Sequence, residues 1–314
     1  RLDASAGATG FPNDILTTLN SAATPISTTG NATEWGLNSF FGRATYSYKD
    51  RYIFNGTVTT DGSSRFGDDN RYGGFPSVGL GWRISQEGFL SSNTFIDDLK
   101  LRASWGGTGN NKIGNFASLA QFGGGVAYAG GGGTVPSQVA NSELQWETTI
   151  KYDLGLDFSF FNGRLNGSLD YYYNKTEDIL LTAPLPRSSG FNSVSQNVGE
   201  MENRGFELEI SGDVIRSRDF VWTVAGNIAF NRNKILQLVD GEDIAATGFN
   251  QSIVREGEPL GSFFGYVVEG IIQTQEELDA LNLGSSTGIY QTSGTAPGDF
   301  RYADLDGDGR ITSG

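Results

Sequence analysis

The chain has 314 residues, a formal charge of −14, 45 glycines, and neither cysteine nor histidine. These counts exclude a disulfide framework, Cys-ligated zinc, a thiol nucleophile, a Ser-His-Asp triad and a His-ligated metal, and the acidic balance argues against nucleic acid, whose phosphates require a basic surface. With no basic leader before an apolar run and no apolar stretch of about 18 residues, neither a signal peptide nor a transmembrane helix is expected; what remains is a soluble protein or a membrane β-barrel, where apolar and polar residues alternate.

Residues 1–35 carry no recognisable pattern and read as a surface loop. Alternation then begins. Phe40, Gly42, Ala44, Tyr46 and Tyr48 oppose Ser39, Phe41, Arg43, Thr45 and Ser47, and Tyr52, Phe54, Gly56 and Val58 oppose Ile53, Asn55, Thr57 and Thr59, a weaker alternation because Ile53 falls on the polar side. Val78, Leu80, Trp82 and Ile84 form a third set, and Leu99, Leu101, Ala103 and Trp105 a fourth. The cleanest run follows Trp146: Thr148, Ile150, Tyr152, Leu154, Leu156, Phe158 and Phe160 lie on one face of a strand, and Lys151, Asp153, Gly155 and Asp157 on the other. At ~3.3 Å per residue that face is roughly 40 Å long, enough to cross a bilayer at a tilt of ~45°. Leu165 to Tyr173, Phe206 to Ile210 and Phe220 to Phe230 repeat the pattern. The prediction is therefore about eight antiparallel strands.

The links between them alternate in length. Tyr48 to Tyr52, the Asn162-Gly163 hairpin (a type I′ sequence) and Asp213 to Asp219 are short, and the Ser85–Asp98 link belongs to the same side. Asp61–Phe75, Gly106–Gln145, Asp178–Asn197 and the chain beyond Asn231 are long and rich in Gly, Ser, Asn and Pro. Short turns on one rim and long loops on the other are the outer-membrane arrangement. Aromatics bunch as two girdles. Tyr46, Tyr48, Tyr52, Phe54, Phe158, Phe160, Phe161, Phe220 and Trp222 lie towards the short turns, and Trp105, Trp146 and Tyr171 to Tyr173 towards the long loops. The triple glycine Gly123–Gly125 and Gly130 to Gly133 lack the strand and helix of a phosphate cradle and read as flexible loop. Thr274 with Glu277 forms a capping box that starts a short helix ending by Gly284.

Two groups of residues bear on function. Asp304, Asp306 and Asp308, with Gly309 at the sharp turn and the Arg310 carbonyl following, have the start of a Ca²⁺ loop; an acidic turn bonding its own backbone is the alternative. Arg43, Arg83, Lys100, Arg102, Lys151, Asp153, Asp157, Asp170, Glu207 and Glu209 fall on the polar faces of the strands. They are expected to line a polar lumen, where they would meet a plug or substrate or pair with one another along the wall. Acids are too common on this face for Glu207 and Glu209 to read as a glycosidase pair, so no catalysis is expected.

A series of blocks carries a family resemblance. They are Phe41-Gly42-Arg43-Ala44 to Tyr52, Asp61-Gly62-Ser63-Ser64-Arg65-Phe66, Phe75-Pro76-Ser77-Val78 with Gly81-Trp82-Arg83, Leu99 to Gly106 with Thr108-Gly109-Asn110, Leu144-Gln145-Trp146-Glu147, Asn197-Val198-Gly199-Glu200-Met201-Glu202-Asn203-Arg204-Gly205-Phe206, Glu256-Gly257-Glu258-Pro259-Leu260-Gly261, and Pro297-Gly298-Asp299. In this order, over roughly residues 36 to 314, they resemble the SusC/RagA family of TonB-linked outer-membrane transporters of Bacteroidota. The resemblance implies a large barrel closed around an N-terminal plug, energy supplied by TonB with ExbB and ExbD, and a SusD-like surface lipoprotein that helps capture oligosaccharides or peptides. On this reading the chain is part of such a barrel in outer-membrane lipid: residues 1–35 form an extracellular loop segment, 36–235 the strands with their loops, and 236–314 a long extracellular loop. The loop Gly106–Gln145 is then expected to meet the lipoprotein or the ligand. Two rivals predict otherwise: a small passive porin or adhesin, and a secreted Ca²⁺-dependent carbohydrate-binding β protein.

Overall fold

The computed structural model describes residues 2–13, 15, 18–128, 131–245 and 252–311. Two compact units divide between Asp240 and Gly241. The first is dominated by one antiparallel sheet of eight strands: β1 Leu37–Tyr48, β2 Tyr52–Ser63, β3 Tyr72–Arg83, β4 Ile96–Asn110, β5 Glu147–Phe160, β6 Leu165–Glu177, β7 Glu200–Arg216 and β8 Val221–Gln237. Each pairs with the next in chain order, so the sheet is a pure meander with β1 and β8 at its edges. The strands run 12 to 17 residues, well beyond the ~5–6 usual in soluble sheets.

The register explains why these residues make this sheet. Tyr46, Phe54, Leu80, Ala103, Leu154, Tyr171, Phe206 and Phe230 lie opposite one another in one row across all eight strands. The adjacent row is Tyr48, Tyr52, Trp82, Leu101, Leu156, Leu169, Leu208 and Ile228. A slip of one residue would throw every one of these side chains onto the opposite face. Most are exposed: Tyr46 is 61%, Leu154 52%, Tyr171 51% and Phe230 59% accessible. An apolar face this wide and uncovered has hydrocarbon as its solvent.

Tight turns set one rim. Lys49 and Asp50 both have positive φ between β1 and β2, and the Arg51 amide donates to the Tyr48 carbonyl at 3.0 Å. At the next hairpin Asn162 and Gly163 have φ of 58° and 74°, as a type I′ turn requires. At the same rim, Glu87 accepts hydrogen bonds from the Tyr52 hydroxyl at 2.7 Å and the Trp82 indole at 3.1 Å, and pairs with Arg51 at 3.3 Å. The Tyr52 hydroxyl, the first of these, holds the Glu87 carboxyl below its ordinary range. The girdle on this side is thus tied to the turn beneath it.

The long connections differ from the sequence expectation. β2 and β3 extend towards each other, leaving only residues 64–71 as loop, and β8 continues to Gln237. Three connections contain hairpins of their own: Leu2–Thr9 with Thr24–Ala32, Gln121–Tyr128 with Gly131–Gln138, and Leu180–Pro184 with Ser193–Asn197. Gly123–Gly125 thus sit in a hairpin strand, not a flexible loop, while Gly130 lies outside the described residues. The physical reason is that a long exposed segment satisfies its backbone by folding on itself, whatever its side chains. Trp146 also departs from the expected outer girdle. It is buried with Phe66, Phe75, Ala117 and Leu144, and its indole donates to the Arg71 carbonyl at 3.0 Å. This small core ties the β2–β3 loop to the β4–β5 connection. Tyr172, likewise assigned to that girdle, points to the polar face, where it covers Gly205.

The second unit holds α1, Gln275–Gly284, with short strands at Val268–Ile271 and Phe300–Tyr302. The capping box forms: Thr274 Oγ1 accepts the Glu277 amide at 3.2 Å, and Glu277 Oε2 reaches back to the Gln273 amide at 2.9 Å. Ile253, Ile272, Leu278 and Tyr290 are its buried hydrophobic residues.

Candidate functional site: the polar face of the sheet

Register places all ten predicted charges on the face opposite the aromatic one. Arg43 shares a row with Ser77, Gly106 and Lys151, and Arg102 shares one with Gly155, Asp170 and Glu207. Five of the ten form one network around Arg102. Its Nε donates to Asp157 Oδ2 at 2.9 Å, its Nη2 to Asp170 Oδ1 at 2.7 Å and to Asp157 Oδ1 at 2.9 Å, and Asp153 lies 3.8 Å from Nη1. Lys100 approaches Asp157 at 3.8 Å. Arg83 pairs instead with Asp98 at 3.4 Å. The guanidinium spans three strands because its intervening neighbour is Gly155: a Cβ there would sit on the Asp170 carboxylate and 2.6 Å from Arg102 Nη2. That glycine is the residue sequence reasoning missed. Its only signal was a glycine breaking a run of Lys151, Asp153 and Asp157 on the polar side.

The other four charges stay separate. Among the described residues Arg43, Lys151, Glu207 and Glu209 have no ion pair. Arg43 and Lys151 border a depression of about 770 Å³ with Asn55, Thr57, Ser77 and Thr108. Free cations set among hydroxyls and amides offer a surface that binds polar ligands by hydrogen bonding.

The acidic loop lies in the second unit. One carboxylate oxygen each of Asp304, Asp306 and Asp308 lies within 4.8 Å of the others. Each also caps local backbone. Asp304 accepts the Gly307 and Gly309 amides, both at 2.8 Å, Asp306 accepts Asp308 N at 3.2 Å, and Asp308 accepts Arg310 N at 2.8 Å. The Gly309 amide, foremost, holds the Asp304 carboxyl below its usual range. The turn bonds its own backbone, and its converging carboxylate oxygens keep lone pairs to spare.

A meander of long strands with one aromatic face and one charged face is the wall of an outer-membrane barrel. The model for "TonB dependent receptor-like, beta-barrel" matches residues 3–308. The chain belongs to this TonB-dependent receptor family. It is 39% identical to TonB-dependent receptor P3 of Formosa agariphila over 98% of its length and 31% of that protein's. It is 42% identical to TonB-dependent receptor SusC of Bacteroides thetaiotaomicron over 68% of its length and 22% of that protein's. Among solved structures it superposes on the RagAB peptide transporter with a TM-score of 0.78 and 31% identity, covering 87% of this chain and 31% of that one. The chain therefore spans about a third or less of the relatives it matches, is of SusC/RagA type, and is an outer-membrane barrel segment.

Proposed function

We propose that this chain forms part of the wall of an active nutrient importer of the SusC/RagA type, in which a plug moves aside on energy delivered by TonB with ExbB and ExbD and no covalent chemistry occurs. The carrying observation is the similarity to SusC and to the RagAB peptide transporter along the strand meander itself. The polar face with Arg43, Lys151 and the Arg102 network is the lumen side on this reading. The long connections form the outer surface, which receives a SusD-like lipoprotein and an oligosaccharide or peptide.

The Gln121–Gln138 hairpin is the part of that surface best suited to a partner. Its base is fixed, because Gln138 Nε2 donates to the carbonyls of Phe116, Ala117 and Leu119, while Phe122 near its start is 68% exposed. Replacing residues 122–136 of the full-length transporter by a short Gly-Ser linker is expected to leave barrel assembly intact and abolish either lipoprotein capture or uptake. Co-purification of the lipoprotein and uptake of labelled oligosaccharides or peptides measure the two. Unchanged capture and uptake would remove the hairpin's role, and normal uptake in cells lacking TonB would remove the active mechanism.

The acidic loop is proposed to hold Ca²⁺ through Asp304, Asp306, Asp308 and the Arg310 carbonyl. Calorimetric titration of the full-length protein is expected to show a saturable Ca²⁺ site that Asp306→Asn with Asp308→Asn eliminates. An identical titration curve for that variant leaves the loop as a self-bonded turn.

A further inference from the structure

Above the aromatic rows, towards the long-connection rim, the outer face of β6 to β8 becomes charged, with Lys175, Arg204, Arg232 and Lys234 against Glu177, Glu200 and Glu202. Arg204 and Arg232 lie directly opposite each other on β7 and β8, in the row that also holds Tyr152 and Tyr173. One residue pair further along that face, Glu202 lies opposite Lys234. Opposed residues in an antiparallel pair have Cα atoms ~4.5–5.5 Å apart, and like charges there are destabilising. Two of the three local carboxylates are committed to Lys175. Glu202 accepts the Tyr173 hydroxyl at 3.2 Å, and Glu200 and Glu177 both pair with Lys175 at 2.8 Å and 2.7 Å. Among the described residues neither Arg204, Arg232 nor Lys234 has an ion pair, and all three are exposed, Arg232 and Lys234 on the strand with a neighbour on one side only. Arg204 is one strand in from the edge, so both its cross-strand neighbours, Tyr173 and Arg232, are defined.

These cations stand on the lipid-facing side, Arg204 and Arg232 one position past the last aromatics of their strands, Phe206 and Phe230, and Lys234 two. An anion there would relieve the repulsion between the two guanidinium groups. We propose that Arg204, Arg232 and Lys234 bind the phosphate of an anionic glycolipid headgroup in the outer leaflet. Two guanidinium forks at this spacing offer a phosphate bidentate, charge-assisted hydrogen bonds, the Lys234 ammonium adds a third donor, and the aromatics below pack against the acyl chains.

The test uses the full-length transporter in mild detergent and native mass spectrometry, with monophosphoryl lipid A, its dephosphorylated counterpart and inorganic phosphate as probes. Monophosphoryl lipid A is expected to bind the natural protein at least about tenfold more tightly than the Arg204→Gln/Arg232→Gln variant, and the Arg204→Lys/Arg232→Lys variant is expected to retain most of the affinity. Heat-modifiable migration verifies that each variant is folded. Should the double Gln variant not fold, Arg204→Gln alone is held to the same comparison. Equal binding by the folded Gln variant overturns the site, equal binding of dephosphorylated lipid overturns the phosphate, and equal competition by inorganic phosphate overturns the lipid as its source.

Discussion

Expressed on its own, the 314-residue chain is expected not to give a heat-resistant, protease-resistant monomer in detergent, whereas the full-length protein is expected to give one. The cause is at the two edges of the sheet. β1 and β8 each have a strand partner on one side only. About ten residues of a strand cross the hydrocarbon, and alternate residues direct their N–H and C=O away from the existing neighbour. That leaves on the order of five residues with unpaired backbone per edge, at several kcal/mol per group. The sum far exceeds the roughly 5–15 kcal/mol by which folded domains are stable. Migration with and without boiling, combined with limited proteolysis, reads the outcome directly. A folded monomer of this chain alone would mean that β1 and β8 find each other, and would favour the small passive barrel over the importer.

How much of this was legible in the sequence varies with the length scale. Period-2 alternation from Thr148 to Phe160 fixed which side chains share a face, and β5 runs from Glu147 to Phe160 as that pattern requires. The I′ turn at Asn162-Gly163 was legible for the same reason: only residues tolerant of positive φ serve there. Parity failed one residue beyond the strand. Trp146 continues the even-numbered outer set, yet it belongs to a core in the connection, where Asn197 pins the adjacent Gln145 by accepting from its amide at 2.8 Å and donating to its carbonyl at 2.9 Å. The hairpins in the long connections carry little alternation, because Gly-Gly-Gly-Thr-Val has no face to bury, so backbone pairing alone builds them. Above all, sequence showed that Arg102, Asp157 and Asp170 share a face but not that they touch. That follows from a register between strands dozens of residues apart.

The same register makes Gly155 the most sensitive position on the polar face. Gly155→Val is expected to destabilise the full-length barrel by about 2–3 kcal/mol, between the cost of breaking a surface ion pair and a buried one, because the Arg102 and Asp side chains are 20–37% exposed. The loss does not come from β propensity, which favours valine over glycine in a strand. It comes from the new side chain occupying the place where the guanidinium crosses to Asp170, leaving Asp153, Asp157 and Asp170 facing one another with only Lys100 beside Asp157. A double-mutant cycle with Arg102→Met separates the two effects. Once the guanidinium is gone, Gly155→Val has only the Asp170 carboxylate left to displace, so its cost is expected to fall by more than half, giving a coupling of about 1–2 kcal/mol. Urea unfolding of the full-length protein in detergent, followed by tryptophan fluorescence, gives all four corners. Strict additivity would show that Gly155 is needed for some other close approach. A stabilising Gly155→Val would show that Arg102 reaches its carboxylates by another path, and the glycine seat would then have no part in holding the charges of the polar face.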